Sequence, residues 1–188
     1  LVGLYAVNNA IPDEETEIRA YLEYWEKFDK NPFYLRKAKE KLTGKDYPRL
    51  WLKYYYLTEE YAKATQQKLD IDVLSSWELF ILGESYGKRK AWSQATFYLQ
   101  KAWDMDPTVP SIGKQLLKYR IEQGDLKRGA TLATELAALF PRNGNILNLQ
   151  AKIFVMQGKY LEAKALMRKC LELEPDNIDV WGTYLNYY

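Results

Sequence analysis

Cys170 is the only thiol in the chain, and there is no histidine. Without an imidazole the chain cannot assemble a Cys–His or Ser–His pair. The commonest general base, the usual zinc ligand and the usual pH switch are missing for the same reason. Carboxylates stand side by side at Glu14-Glu15 and Glu59-Glu60, but adjacent residues on a helix do not face each other, so these read as solvated helix surface. Gly3, Gly44, Gly83 and Gly87 are too scattered to form a phosphate-cradling loop. No metal-ligand spacing is present, and nothing asks for a cofactor. Lys88-Arg89-Lys90 is the one basic triplet; it reads as a solvated turn rather than a phosphate contact. The sequence therefore predicts no enzyme.

The 188 residues suffice for one domain or a short repeat array, and 47% apolar with 28% charged residues describes a chain that buries a core. Residues 1–75 carry 12 basic and 13 acidic side chains, residues 76–188 carry 15 and 12. Neither balance argues for nucleic acid or an anionic membrane. A single cysteine excludes an internal disulfide and fits either a reducing compartment or a disulfide-free envelope protein. The run Leu1–Val7 is apolar but far too short to span a bilayer. It reads either as packing against the next hairpin or as the end of a signal or membrane helix lying upstream of Leu1.

A period organises the second part. Pro107, Pro141 and Pro175 are 34 residues apart, as are Gly124 and Gly158, and Trp92, Leu126 and Tyr160. Within one period, apolar residues recur at helical spacing from Leu147 to Phe154, and Gly158 breaks the run. A second amphipathic run from Tyr160 to Leu173 contains Cys170 and stops at Glu174-Pro175-Asp176-Asn177. One unit is thus helix, tight turn, helix, turn. Residues 76–109 place Leu79, Leu82-Gly83, Tyr86, Ala95, Leu99, Ala102 and Pro107 in this frame. Residues 144–177 place Leu147, Ala151, Phe154, Gly158, Ala163, Met167, Cys170 and Pro175. Residues 110–143 keep Leu116, Gly124, Gly129, Ala133, Leu136 and Pro141 but have Gly113 and Arg120 at two positions where the other units carry large apolar or aromatic residues.

In length and in these residues the unit resembles the tetratricopeptide repeat. Lys90 departs from that pattern, which has glycine at the turn. The resemblance implies an all-α, right-handed superhelical stack of antiparallel helix hairpins, an α-solenoid. Its domains would be a non-canonical helical segment at 1–75, three repeats at 76–109, 110–143 and 144–177, and a further or capping first helix at 178–188. Ala151 against Ala163, and Gly83 against Ala95, would let paired helices approach closely. Cys170 would pack inside the hairpin as an inert thiol. First helices of the family line a concave groove, which implies partner contacts at Trp77, Phe80, Glu84 and Lys88, then Ser111, Lys114, Lys118, Ile121 and Glu122. Asn145, Asn148, Lys152, Val155 and Met156 follow, with Asp179 and Asn186 extending the row. Trp77 and Phe80 would be exposed. Lys114, Lys118 and Lys152 suit an acidic peptide, and Asn145 and Asn148 suit an extended backbone. The asparagine that would complete the family's terminal-carboxylate clamp is replaced by Leu149, so a chaperone tail is not the expected ligand.

Residues 1–75 do not keep the repeat. Pro12-Asp13-Glu14-Glu15 starts a helix running to about Asp29, with Ile18, Tyr21, Leu22, Trp25 and Phe28 on one face. A second helix runs from Phe33 to Leu42, and a third starts at Pro48 and continues through Tyr61 to Leu69. Trp51-Leu52-Lys53-Tyr54-Tyr55 and Trp181-Gly182-Thr183-Tyr184 are similar to the first helices of half-a-tetratricopeptide repeats from RNA-processing scaffolds. The resulting expectation is a scaffold holding a protein or peptide, with no small-molecule substrate, in an envelope assembly or secretion system. The alternatives are an accessory domain of a membrane-bound glycan polymerase or transferase, and an RNA-processing scaffold. Cytoplasm and envelope both fit.

Overall fold

The structure, a computed structural model, describes residues 13–187. These residues form eleven α-helices and one short 3-10 turn, with no strand among them. The chain divides into two compact units, one ending at Arg89 and the other starting at Lys90. The apolar run Leu1–Val7 lies outside the described residues. Among the described residues no helix is long and apolar enough to cross a membrane.

In the N-terminal unit, α1 (Glu14–Lys27) and α2 (Pro32–Leu42) form an antiparallel hairpin. Asp13 accepts the Thr16 N–H at 2.7 Å and starts α1. Asn31 accepts the Phe33 N–H at 3.0 Å and starts α2, with Pro32 at its first position, where a missing N–H costs nothing. Ile18, Leu22, Ala38, Leu42, Leu50 and Tyr54 form the core of this unit, with Leu50 and Tyr54 supplied by α3 (Pro48–Leu57). Phe28, expected on the apolar face of α1, lies past its end and is 75% exposed.

The third helix is shorter than its sequence suggests. It stops at Leu57 because Glu59 enters the left-handed region at φ 61°, and Glu60 N–H then closes on Tyr55 O at 2.8 Å. That is a glycine-type helix end made without glycine. Only the single turn α4 (Tyr61–Ala64) follows. Ile71–Val73 is the 3-10 turn. Ser75 and Glu78 form a reciprocal capping box that opens α5 (Ser76–Lys88).

The C-terminal unit contains α6 (Trp92–Met105), α7 (Pro110–Gln123), α8 (Leu126–Leu139), α9 (Gly144–Met156), α10 (Tyr160–Leu173) and α11 (Ile178–Tyr187). Each of these helices packs on its neighbours in sequence, α7 also packs on α9, and α9 on α11. The turns between paired helices are left-handed at Gly124 (φ 78°) and Gly158 (φ 75°). Lys90 adopts the same conformation at φ 59°, where a Cβ makes it costly. Ala151 and Ala163 share one buried cluster with Leu147, Val155, Met167, Cys170 and Val180.

Gly113 has a physical explanation. A Cβ there would meet Leu136 Cδ2 at 2.4 Å and Trp103 Cζ3 at 2.8 Å. Trp103, buried on α6, and Leu136 of α8 close the space a side chain would need there.

Candidate functional site

Helix α7 carries Lys114, Lys118 and Ile121 at i, i+4 and i+7, which places them on one face. Helix α9 does the same with Asn145, Asn148 and Lys152. Together with Gln115, Glu122, Leu149 and Asp179 they line one cleft of about 390 Å³. A second cleft of about 550 Å³ shares Ile121, Lys152 and Asp179 and continues past Met156 and Ile178 to Asn186. The shared residues make one trough along α7, α9 and α11, lysine-rich at one end and apolar at the other.

Four polar groups of this trough lack a protein partner among the described residues. Among the described residues no carboxylate lies at ion-pair distance from Lys114, Lys118 or Lys152. Two carboxylates, Glu122 and Asp179, share the first cleft, so the balance of charge there is positive. Asn148 is only 3% exposed, and its Oδ1 is buried without a hydrogen-bond partner. Leaving a buried acceptor unmade costs about 1–3 kcal/mol.

The other residues singled out in the sequence fall elsewhere. Trp77, Phe80, Glu84 and Lys88 belong to the N-terminal unit. Trp77 is 39% exposed and stacks on Phe80 with centroids 4.7 Å apart. It lines a separate cleft of about 300 Å³ with Arg19, Arg49, Lys53 and Glu78. Phe80 and Glu84, expected to face a groove, are buried. The reason is that α3 and α4 pack on α5, and residues 79–85 are buried without a break. Burial, with the Glu84 carboxylate as a further cause, pushes the Tyr56 phenol up to about 12. Lys88, Arg89 and Lys90 are exposed. Ser111 is half-buried, and Val155 is a core residue rather than a groove residue.

Cys170 is fully buried, and its Sγ donates to Gly144 O at 3.6 Å. Burial raises the thiol to about 11, which keeps it protonated and inert at neutral pH. Gly144 is itself a close-approach position, because a Cβ there would meet the Glu174 carboxylate at 2.7 Å. Glu174 accepts the Gly144 N–H at 3.2 Å and the Asn177 amide at 2.6 Å, tying the α10–α11 turn to the start of α9.

Gln115, Gly182 and Thr183 line the clefts without having been expected there. Helical spacing placed them beside the predicted row, yet no residue type among them advertises a site.

No family model and no curated protein matches the chain. Solved structures do. The chain is similar to YrrB, described as a TPR protein with an unusual peptide-binding site, at TM-score 0.72 and 13% identity over 93% of this chain and 99% of that one. It is similar to MamA (41-end) from Desulfovibrio magneticus RS-1 at TM-score 0.71 and 16% identity, over 89% and 99% of the two chains. It is also similar to the first TPR of Spaghetti (RPAP3) bound to the HSP90 peptide SRMEEVD, at TM-score 0.56 and 19% identity, over 63% and 93%. Helices without strands, hairpins closed by left-handed turns and small residues buried between paired helices define a helical-repeat protein. The particular fold is the tetratricopeptide-repeat fold.

Proposed function

We propose that this chain is a non-catalytic scaffold that holds an acidic, extended segment of another protein in the trough along α7, α9 and α11. One observation carries the reading: three lysines without a carboxylate partner and one buried amide oxygen without a donor, among the described residues, line the same cleft. Lys114, Lys118 and Lys152 would meet the ligand's carboxylates, which governs rate of capture and selectivity. Asn148 would accept a backbone N–H, which requires a chain rather than a lone anion. The apolar stretch at Met156 and Ile178 would take a large side chain, with Ile178 83% and Met156 48% exposed. An envelope assembly or secretion setting is favoured by the apolar run Leu1–Val7 in the sequence.

The test is selection from an unbiased displayed peptide library on the immobilised protein. Enrichment of sequences with two or more acids near an apolar residue is expected. Recovery of basic or charge-neutral sequences would remove the reading.

A further inference from the structure

A second polar cleft lies on the other side of α7. Arg120 follows Lys118 by two residues, which turns it about 200° around the helix axis. It lines a space of about 520 Å³ with Phe97, Gln100, Lys101 and Asp104 of α6 and with Asp125 and Arg128 at the start of α8. Arg120 stands where the other two units carry Tyr86 and Phe154. The cleft therefore exists where the repeat pattern fails.

The charges there are unevenly matched. Arg128 donates from Nε to Asp125, which also caps α8 by accepting the Arg128 N–H at 3.2 Å. Asp104 accepts from Gln100 Nε2 at 2.6 Å. Arg120 bonds only neutral acceptors: Gln100 Oε1, and Arg128 O at 3.1 Å. A guanidinium has five N–H donors, so the rest have no acceptor among the described residues. Desolvation, then the neighbouring Arg128, disfavour its charge and outweigh the opposing pull of Asp125, Asp104 and Glu135, none of which bonds it. Lys101 lines the same space, its ammonium 5.6 Å from the Phe97 ring and, among the described residues, without a carboxylate at ion-pair distance. Phe97 is 51% exposed.

We infer that this cleft is a second binding site, for a small ligand carrying an oxyanion that bridges Arg120 and Lys101. The oxyanion takes two donors from the planar guanidinium and one from the ammonium, and Gln100 is released to bond elsewhere. Its volume suits a small molecule. The site is independent of the trough, because Lys114, Lys118 and Lys152 contribute nothing to it.

The experiment is amide-resolved NMR titration of the whole chain with pyrophosphate and, separately, with citrate, each against chloride at matched ionic strength. Saturable shifts at residues 97–101 and 120–128, with residues 145–152 unmoved, are the expected result. Response to pyrophosphate alone makes the oxyanion a phosphate, and response to citrate alone makes it a carboxylate. Lys101→Gln, which lies outside the bonds joining α6 to α7 and α8, should weaken the response about tenfold. Arg120→Gln should abolish it, and Lys114→Glu should leave it intact. No saturable shift with either anion, or an unchanged affinity in Lys101→Gln, would overturn the site.

Discussion

In the N-terminal unit Arg19, Lys27, Lys37, Lys41, Lys45, Arg49, Lys53 and Lys63 each meet a carboxylate; in the C-terminal unit Arg128 does, whereas Lys114, Lys118 and Lys152 have none at ion-pair distance among the described residues. The pairs are not all local. Lys41–Glu17 (2.8 Å) and Lys45–Glu14 (2.9 Å) join the α1–α2 region, Lys53–Glu26 (2.9 Å) joins α3 to α1, and Arg49–Glu78 joins α3 to α5 at 2.6 Å. Exposed pairs contribute about 0–1 kcal/mol each, so they set helix register more than they add stability. The C-terminal unit fixes its register differently, with left-handed glycines in the turns and alanines between helices. Three of its lysines, Lys114, Lys118 and Lys152, line the trough with no carboxylate at ion-pair distance among the described residues. The N-terminal unit thus spends its charges on its own helices, and the C-terminal unit leaves those of the trough available for the proposed ligand.

The largest effect that would sharpen this contrast is at Gly113. Gly113→Ala forces a Cβ against Trp103 and Leu136, and overpacking of this kind costs about 1–3 kcal/mol even after the helix-propensity gain. Hydrogen exchange should show lost protection across 92–139 with residues 14–57 unchanged. Equal loss in both units would break the comparison.

Asn148→Leu comes next. It removes the unpartnered buried acceptor, so the free protein should be stabilised by about 1 kcal/mol while peptide affinity falls. A free protein that is destabilised would mean that Asn148 has a structural partner instead.

Acid should separate the units. Hydrogen bonds from Lys41, Lys37 and Lys63 hold the Glu17, Glu40 and Glu60 carboxyls below their ordinary values. Burial alone would raise Glu78, but donors on Arg49 and Ser75 outweigh it. A carboxylate depressed in the folded state contributes stability above its unfolded value and loses it as pH falls through the folded value. Residues 14–88 should therefore lose protection first between about pH 4.5 and 3. Glu78→Gln should remove part of this sensitivity and cost about 1 kcal/mol through the weakened capping box and the Arg49 pair. Simultaneous loss in both units would contradict the assignment.

The smallest effect is a gain. Lys90→Gly relieves a left-handed residue at φ 59° and should stabilise by about 0.5–1 kcal/mol, seen as a higher Tm.

Much of the fold was legible because turn chemistry is local. Pro107, Pro141, Pro175, Gly124 and Gly158 each constrain their own backbone, whatever packs nearby. The break after Leu57 was not, because Glu59 is a poor left-handed residue and carries no turn signal. The lysines and asparagines of the trough came from the family resemblance, and Lys114, Lys118, Asn145, Asn148 and Lys152 do line one cleft. The burial of Phe80 and Glu84 was not, because it depends on α3 and α4 covering α5, and no pattern within 76–88 encodes that. Gly113 read as a departure from the repeat; only the distant Trp103 explains it.

The account rests most directly on the trough lysines. Fluorescence anisotropy with a labelled peptide taken from the library selection should give Lys114→Glu/Lys118→Glu a Kd at least about tenfold weaker. Affinity should also fall with salt in the native protein and respond less in the double variant. An unchanged Kd and an unchanged salt slope in the double variant would contradict the account.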